Sequence, residues 1–347
     1  MAIGISATAL ASALGGGPVP PAKPLAQAVH DALGGGSVAG FSARVKFTNH
    51  LVEGSELASG DGSGGGLAGG SPLLTGASGR VWVSGDGRMR LELQSEKGDT
   101  QIIYDGHTLQ MYDASSNTLY RYTPERTTQS GGDAAHDTQD GHKPPTLKQV
   151  EEGIAHISDH AKLSGATPTD VGGQAAYTLR IEPKESGSLI GGAELSFDAS
   201  HGIPLRAAVY SSTSADPVIE LAANNVSYGP VDSSVFSFTP PPGAKIEEIK
   251  GPTNGSASAT DRSAKHPKLA THGHGISAIA VLEGKAEGAK SGSSALGPLP
   301  KVKINGADAS ELRTALGTLL SFERGGVRYL VVGAVPPAAV EALARGL

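Results

Sequence analysis

The chain has 347 residues with 49 glycines, 22 prolines and only 4% aromatic residues. It therefore has room for two domains, much of it is turn and linker, and any core is built mainly from Val, Leu, Ile and Ala. A net charge of −6 with no dense basic patch argues against a nucleic-acid partner, and the absence of cysteine excludes disulfides, thiolate metal sites, cysteine nucleophiles and a lipid-modified N-terminal cysteine.

Residues 1–14 are uncharged and apolar, and Ala9-Leu10-Ala11 and Ala11-Ser12-Ala13 have the small-x-small form of a signal-peptide cleavage site. The basic n-region is missing, and the run falls short of the roughly 20 residues that span a bilayer. Residues 1–21 are thus either a truncated secretory signal whose start lies upstream of Met1 or the tail of an N-terminal membrane anchor. Both readings put the bulk of the protein outside the cytoplasm.

Pro24 suits a first helical turn, and Leu25, Val29 and Leu33 with Ala28 and Ala32 form one apolar helix face, ended by Gly34-Gly35-Gly36. Phe41, Ala43, Val45 and Phe47 then alternate with Ser42, Arg44, Lys46 and Thr48, the period of a half-buried strand. Residues 54–78 form a Gly/Ser-rich loop, a flap or a spacer. Residues 79–123 read as a β-meander. Val81 and Val83 alternate with Arg80, Trp82 and Ser84; after a turn, Met89, Leu91 and Leu93 alternate with Arg88, Arg90, Glu92 and Gln94. Strands follow at 101–104, 109–112 and 118–122, and Asp105-Gly106 predicts a type I′ hairpin.

The phrase Gly87-Arg88-Met89-Arg90-Leu91, followed by Tyr104-Asp105-Gly106-His107 and Met111-Tyr112-Asp113, resembles the LolA-like family of envelope lipoprotein and lipid carriers. That resemblance implies an α+β, mainly β fold: a strongly curved, unclosed antiparallel half-barrel covered by helices, with an apolar cavity that takes acyl chains. Met89, Leu91, Leu93, Leu109 and Met111 lie on adjacent strands and either line such a cavity or fill an ordinary core. In the family an arginine after the turn helps hold the lid shut; Arg90 matches that position best, and Arg88 is the other candidate.

A polar insert at 124–145, with His136 and His142, is expected to be disordered. Thr146 and Gln149 fit a capping box, and Leu147, Val150, Ile154 and Ile157 continue a helical stripe to about residue 158. This helix is the candidate lid, with Leu147, Val150 and Ile154 facing the cavity mouth as the resemblance implies. Strands are expected at 175–183, 193–198, 203–210 and 218–228. The resemblance extends through Val171-Gly172-Gly173-Gln174-Ala175-Ala176-Tyr177, Gly202-Ile203-Pro204-Leu205-Arg206 and the stretch from Val235-Phe236-Ser237-Phe238 to Ala244, covering about 24–249. The LolA-like domain is accordingly placed at 22–249.

Residues 250–275 lack periodicity and read as a linker. A small α+β C-terminal domain at 276–347 follows, similar to a module of some extracytoplasmic sensor proteins. Its expected elements are strands at 276–282 and 302–304, a helix at 309–316, a hairpin across Arg324-Gly325-Gly326, and a closing helix at 335–345 with Pro336-Pro337 in its first turn.

No catalytic constellation emerges. The one G-x-G-x-x-G, Gly60 to Gly65, has no helix after it; His156 and His160 stand at i, i+4 without a third ligand; His266, His272 and His274 fall in the linker; Glu151-Glu152 and Glu247-Glu248 are adjacent surface charges. No enzyme, metal or cofactor is expected. Two functions remain open. One is an extracytoplasmic carrier for the acyl chain of a lipid or lipoprotein, released at a membrane or an envelope acceptor protein. The other is a MucB/RseB-type sensor that binds a membrane-bound anti-sigma factor. A third reading is a structural envelope protein with a filled core.

Overall fold

Pro24 caps a helix, α1 (Leu25–Leu33), whose carbonyl at His30 is closed by the Gly34 N–H. It leads into β1 (Gly40–Asn49), and the expected meander follows as β2 (Ala77–Ser84), β3 (Met89–Ser95), β4 (Gly98–Tyr104), β5 (Leu109–Asp113) and β6 (Thr118–Tyr122). The computed structural model describes residues 17–52, 73, 76–96, 98–124, 144–249, 268–285 and 299–347. The G-x-G-x-x-G at 60–65, most of the 54–78 loop and 124–145 insert, and His136, His142 and His266 lie outside the described residues.

Helix α2 (Leu147–His160) begins with the capping box the sequence predicts. Thr146 Oγ1 accepts from the Gln149 N–H at 3.3 Å, and Gln149 Oε1 accepts from the Thr146 N–H at 2.8 Å. Two short strands absent from the sequence reading come next, β7 (Ala161–Leu163) and β8 (Thr167–Val171), then β9 (Gln174–Pro183), β10 (Ile190–Asp198), β11 (Pro204–Ser211), β12 (Pro217–Tyr228) and β13 (Lys245–Glu248).

These thirteen strands make one curved sheet in the order β13-β6-β5-β4-β3-β2-β1-β12-β11-β10-β9-β7, with β8 also on β9. The β1–β12 pairing joins the meander to the second half. The two ends of the order are not paired with each other, so the sheet does not close. All pairings are antiparallel except β13, which runs parallel to β6. The fold is α+β and mainly β.

α1 packs on the second half through Ala28, which is buried against Tyr177 and Phe197. Tyr177 Oη donates to the Pro21 carbonyl at 2.7 Å, tying the segment before α1 to the sheet. The β10–β11 turn comes up under the helix end: Gly202 sits at φ 68°, and a Cβ there would stand 2.1 Å from the Ala32 carbonyl oxygen. Only glycine fits.

The turn at Asp105 differs from expectation. Gly106 has positive φ but Asp105 does not, as a type I′ turn requires. Instead the Asp105 carboxylate accepts from the His107 and Thr108 N–H groups at 2.8 and 2.7 Å, forming a longer Asx-turned loop.

A second sheet is built from β14 (Lys268–His272), β15 (Ile279–Lys285), β16 (Lys301–Ile304), β17 (Ala307–Arg313), β18 (Thr318–Arg324) and β19 (Val327–Gly333), ordered β14-β15-β19-β18-β17-β16. α3 (Pro337–Gly346) packs Val340 and Ala344 onto Val281, Leu320, Phe322 and Val331. Two expectations are corrected here. Residues 309–316 are not a helix: Asn305 and Gly306 both have positive φ and turn β16 into β17, whose pairing with β18 overrides the helical propensity of its Ala, Glu, Leu and Arg. Residues 268–272, read as linker, pair with β15 as an edge strand.

The two sheets touch. The Ala334 carbonyl accepts from the Leu189 N–H at 2.8 Å and the Ser188 hydroxyl at 2.9 Å, and the Ala315 N–H donates to the Leu51 carbonyl at 3.0 Å.

Candidate functional site

Residues directly opposite on neighbouring strands share a face, so register decides which side chains can meet one ligand. Three rows cross the meander on the face that carries α1. The first is Phe41, Val83, Met89, Tyr104, Leu109 and Tyr122; the second Ala43, Val81, Leu91, Ile102, Met111 and Tyr120; the third Val45, Gly79, Leu93, Thr100, Asp113 and Thr118. The same face continues across the second half as Phe47, Leu221, Ala207, Leu195 and Leu179.

The five cavity residues expected from the sequence therefore share one face. They are not equivalent. Leu93 is 1% exposed and serves as core, whereas Met89, Leu91 and Met111 are half-buried and Leu109 is 40% exposed at the rim. Sequence reasoning missed Ile102, Tyr104, Tyr120 and Tyr122, which complete the first two rows. Ile102 and Ile103 are adjacent, so one goes to each face, and alternation alone does not say which.

On α2, Val150 is buried while Leu147 and Ile154 are half-buried. The helix packs chiefly on α1 and β7. Its apolar stripe runs on to Ile157, which is 48% exposed. His156 and His160 face each other edge-on at 6.2 Å and are exposed, and no cluster of metal-ligating side chains occurs among the described residues.

Arg90 departs from the lid role implied by the resemblance. It alternates with Met89 and Leu91 and so projects from the reverse face, in a row with Trp82 and Ile103. Its guanidinium donates to the Val235 carbonyl at 2.9 Å and Gln101 Oε1 at 2.8 Å, and pairs with Glu92 at 2.7 Å. What it holds down is the segment after β12, a 3-10 turn at Ser233–Phe236 and the residues beyond it. Phe236 is buried there and Phe238 packs on Tyr112 at 5.3 Å, over a reverse-face cluster that includes Ile103 and Leu119. Arg88, the other candidate, stacks over the Phe236 ring at 4.9 Å and pairs with Asp86, whose carboxyl is lowered to about 2 by hydrogen bonds from Arg88 and Ser84.

The reverse face of the second half is polar. Glu194 accepts from Arg180, Arg206 and Tyr210 at 3.0, 2.7 and 2.6 Å, while Glu182 and Glu220 complete the arginines' partners. Burial pushes the Glu194 carboxyl up, but the hydrogen bonds from Tyr210, Arg206 and Arg180 together outweigh it and leave the group below its ordinary value. The sheet is thus two-sided: apolar and half-open on one face, ionic or covered by the 232–243 segment on the other.

No curated protein matches the chain significantly. A family model described as a predicted periplasmic protein (DUF2092) matches residues 66–138. Among solved structures, the fold is similar to MucB in complex with MucA(peri), at 13% identity over 92% of this chain and 94% of that one, with a TM-score of 0.43. It is similar to the Pseudomonas aeruginosa MucA/MucB complex at 14% identity, 92% and 95% coverage and a TM-score of 0.42. A LolA superfamily protein from Nitrosomonas europaea matches at 8% identity over 89% of this chain and 91% of that one, with a TM-score of 0.20.

Proposed function

We propose that the chain is an extracytoplasmic binding protein that holds the acyl chain of a lipid or lipoprotein against the α1-bearing face of the large sheet. The observation that carries this reading is the pair of ladder rows containing Met89, Leu91, Leu109 and Met111. Their side chains are apolar, contiguous and only half-buried, which an ordinary core does not leave. The physical demand is set by the membrane as competitor. Each buried methylene is worth about 0.8 kcal/mol, so leaving half of a sixteen-carbon chain wet costs roughly 6 kcal/mol. Two rows of six side chains offer a wall long enough for most of such a chain, and in this reading α2, which packs on α1 and β7, serves as its cover. The reading includes no catalytic step and no cofactor.

Native mass spectrometry with lipid extraction, on protein secreted from cells, tests this directly. A stoichiometric lipid adduct that disappears in Leu91→Arg is expected. An apo mass under conditions that keep lipid on a control carrier refutes it.

A second reading, a sensor that binds an anti-sigma factor and releases it on meeting lipid, takes its support from the docked second sheet. The bonds from Ser188 and Leu189 to Ala334 give the small unit a direct mechanical link to β10, whose side chains continue the apolar face. Capture of an anti-sigma factor's extracytoplasmic segment by the full chain, reversed by added phospholipid, selects the sensor over the carrier.

A further inference from the structure

Where the two halves of the large sheet meet, the reverse face carries the charges of Arg44 and Arg80, which nothing among the described residues neutralises. Ser42 and Arg44 on β1 lie directly opposite Trp82 and Arg80 on β2, so these four side chains project together. Beside them β12 bulges, its register jumping between the partners of Ser42 and Arg44, and the bulge holds Asn225 at φ 51°. These residues, with Ala43, line a recess of about 240 Å³.

Two like charges directly opposite on adjacent strands destabilise a sheet unless a counter-charge sits between them. Among the described residues that counter-charge is absent. Glu92 lies directly opposite Arg80 on its other side, but its carboxylate is held by Arg90 at 2.7 Å. Arg44 faces the neutral Asn224 across β12. Among the described residues, neither guanidinium has an ion-pair or hydrogen-bond partner. The contrast lies on the same face: Arg180 and Arg206 are each engaged by two glutamates. Arginines that serve the fold here are paired, and these two are not.

We propose that this recess is a binding site for an oxyanion, a carboxylate or phosphate group carried by a small ligand or a ligand's head. Two adjacent guanidiniums present forked N–H donors that match the paired oxygens of either group. The Ser42 hydroxyl and Asn225 amide add neutral donors, and the Trp82 ring supplies a flat wall for the carbon next to the anion. The volume admits such a group with a few attached atoms and excludes a whole acyl chain. None of the side chains belongs to the apolar ladder rows apart from Ala43, so the site stands or falls independently of acyl binding.

Trp82 is the chain's single tryptophan, so its fluorescence reports on this recess without labelling. The full chain is titrated with sodium phosphate and, separately, with sodium acetate, ionic strength being held constant with sodium chloride. A saturable change in Trp82 emission is expected with one or both anions, and the stronger of the two names the ligand's group. Arg80→Gln and Arg44→Gln should each weaken the response about tenfold or more, the loss expected for a charge-assisted hydrogen bond. Arg121→Gln, which removes a cation paired with Glu248 elsewhere on the same face, should leave it unchanged. Because the two arginines lack structural partners, either substitution should leave the melting temperature equal or higher. The proposal is overturned if neither anion exceeds the chloride control, if the Arg44 and Arg80 variants respond like the parent, or if they melt several degrees lower, which marks the arginines as structural.

Discussion

Replacing Arg90 with methionine separates the role the structure gives this side chain from the lid role the family resemblance implies. The side chain is 17% exposed on the reverse face, and its guanidinium makes two well-formed, partly buried hydrogen bonds, to the Val235 carbonyl and to Gln101. Each is worth about 1.5 kcal/mol as a charge-assisted bond, and the half-exposed Glu92 pair adds at most about 0.5 kcal/mol. Methionine keeps the aliphatic stem over Ile103. The expected loss is therefore about 3 kcal/mol, read as a lower urea midpoint with an unchanged slope. Amide exchange should accelerate first around the Ser237 N–H, which donates to the Ser234 carbonyl in the segment Arg90 pins. Phe236→Ala calibrates the assay: it empties a buried ring position in the same cluster and should cost about 3–4 kcal/mol. Acyl occupancy measured by native mass spectrometry should not change in Arg90→Met. Unchanged stability together with lost ligand refutes this reasoning and restores the arginine as a latch.

Thr146→Ala removes half of the α2 capping box and should cost about 1 kcal/mol, with faster exchange confined to the first turn of that helix; uniform exchange across α2 argues against the box. The depressed Glu194 carboxyl contributes stability that is fully present above its ordinary value of 4.5 and is lost as pH falls through its lower folded value. Thermal melts from about pH 6 to about pH 3 should fall steeply in the parent and less so in Glu194→Gln, which starts lower because it weakens the Arg180 and Arg206 bonds. Parallel pH profiles sink that assignment. Gly202→Ala forces a Cβ onto the Ala32 carbonyl at a positive φ, so a loss of about 2–3 kcal/mol is expected. A melting temperature equal to the parent's shows that the turn moves without disturbing α1.

Alternation made the meander legible. From Phe41 to Phe47 and from Met89 to Leu93, one apolar residue in two places an entire strand face, and the capping box at Thr146 and Gln149 placed α2. The first two ladder rows were half-visible for the same reason. What stayed hidden depended on contacts distant in sequence. Tyr112 is buried with Phe238 packed against it from far along the chain, and no local pattern announces that return across the reverse face. The alternation of Arg90 with Met89 and Leu91 is enough to place it on the reverse face, but its partner Val235 lies far along the chain and only the fold brings the two together. In the second sheet the Asn305-Gly306 dipeptide was the hairpin signal to weigh against the helical composition of residues 309–316. The direct opposition of Arg44 and Arg80 depends on the β1–β2 register, which the long segment between the two strands does not fix.

An open sheet has two rims, and a bare rim is an invitation to unwanted strand addition by another copy of the protein. Here one rim is shielded by β13, whose parallel run along β6 places Lys245, Glu247 and Glu248 on the outermost strand. The other is broken into the short pieces β7 and β8, neither long enough to template a neighbour. Protection of both rims is therefore written into short strands that lie outside the apolar ladder rows. Cutting the chain ahead of Lys245, a natural place to separate the large sheet from the small one, strips the guard from β6 and should yield fibrils or inclusion bodies where a cut after Glu248 yields monodisperse protein.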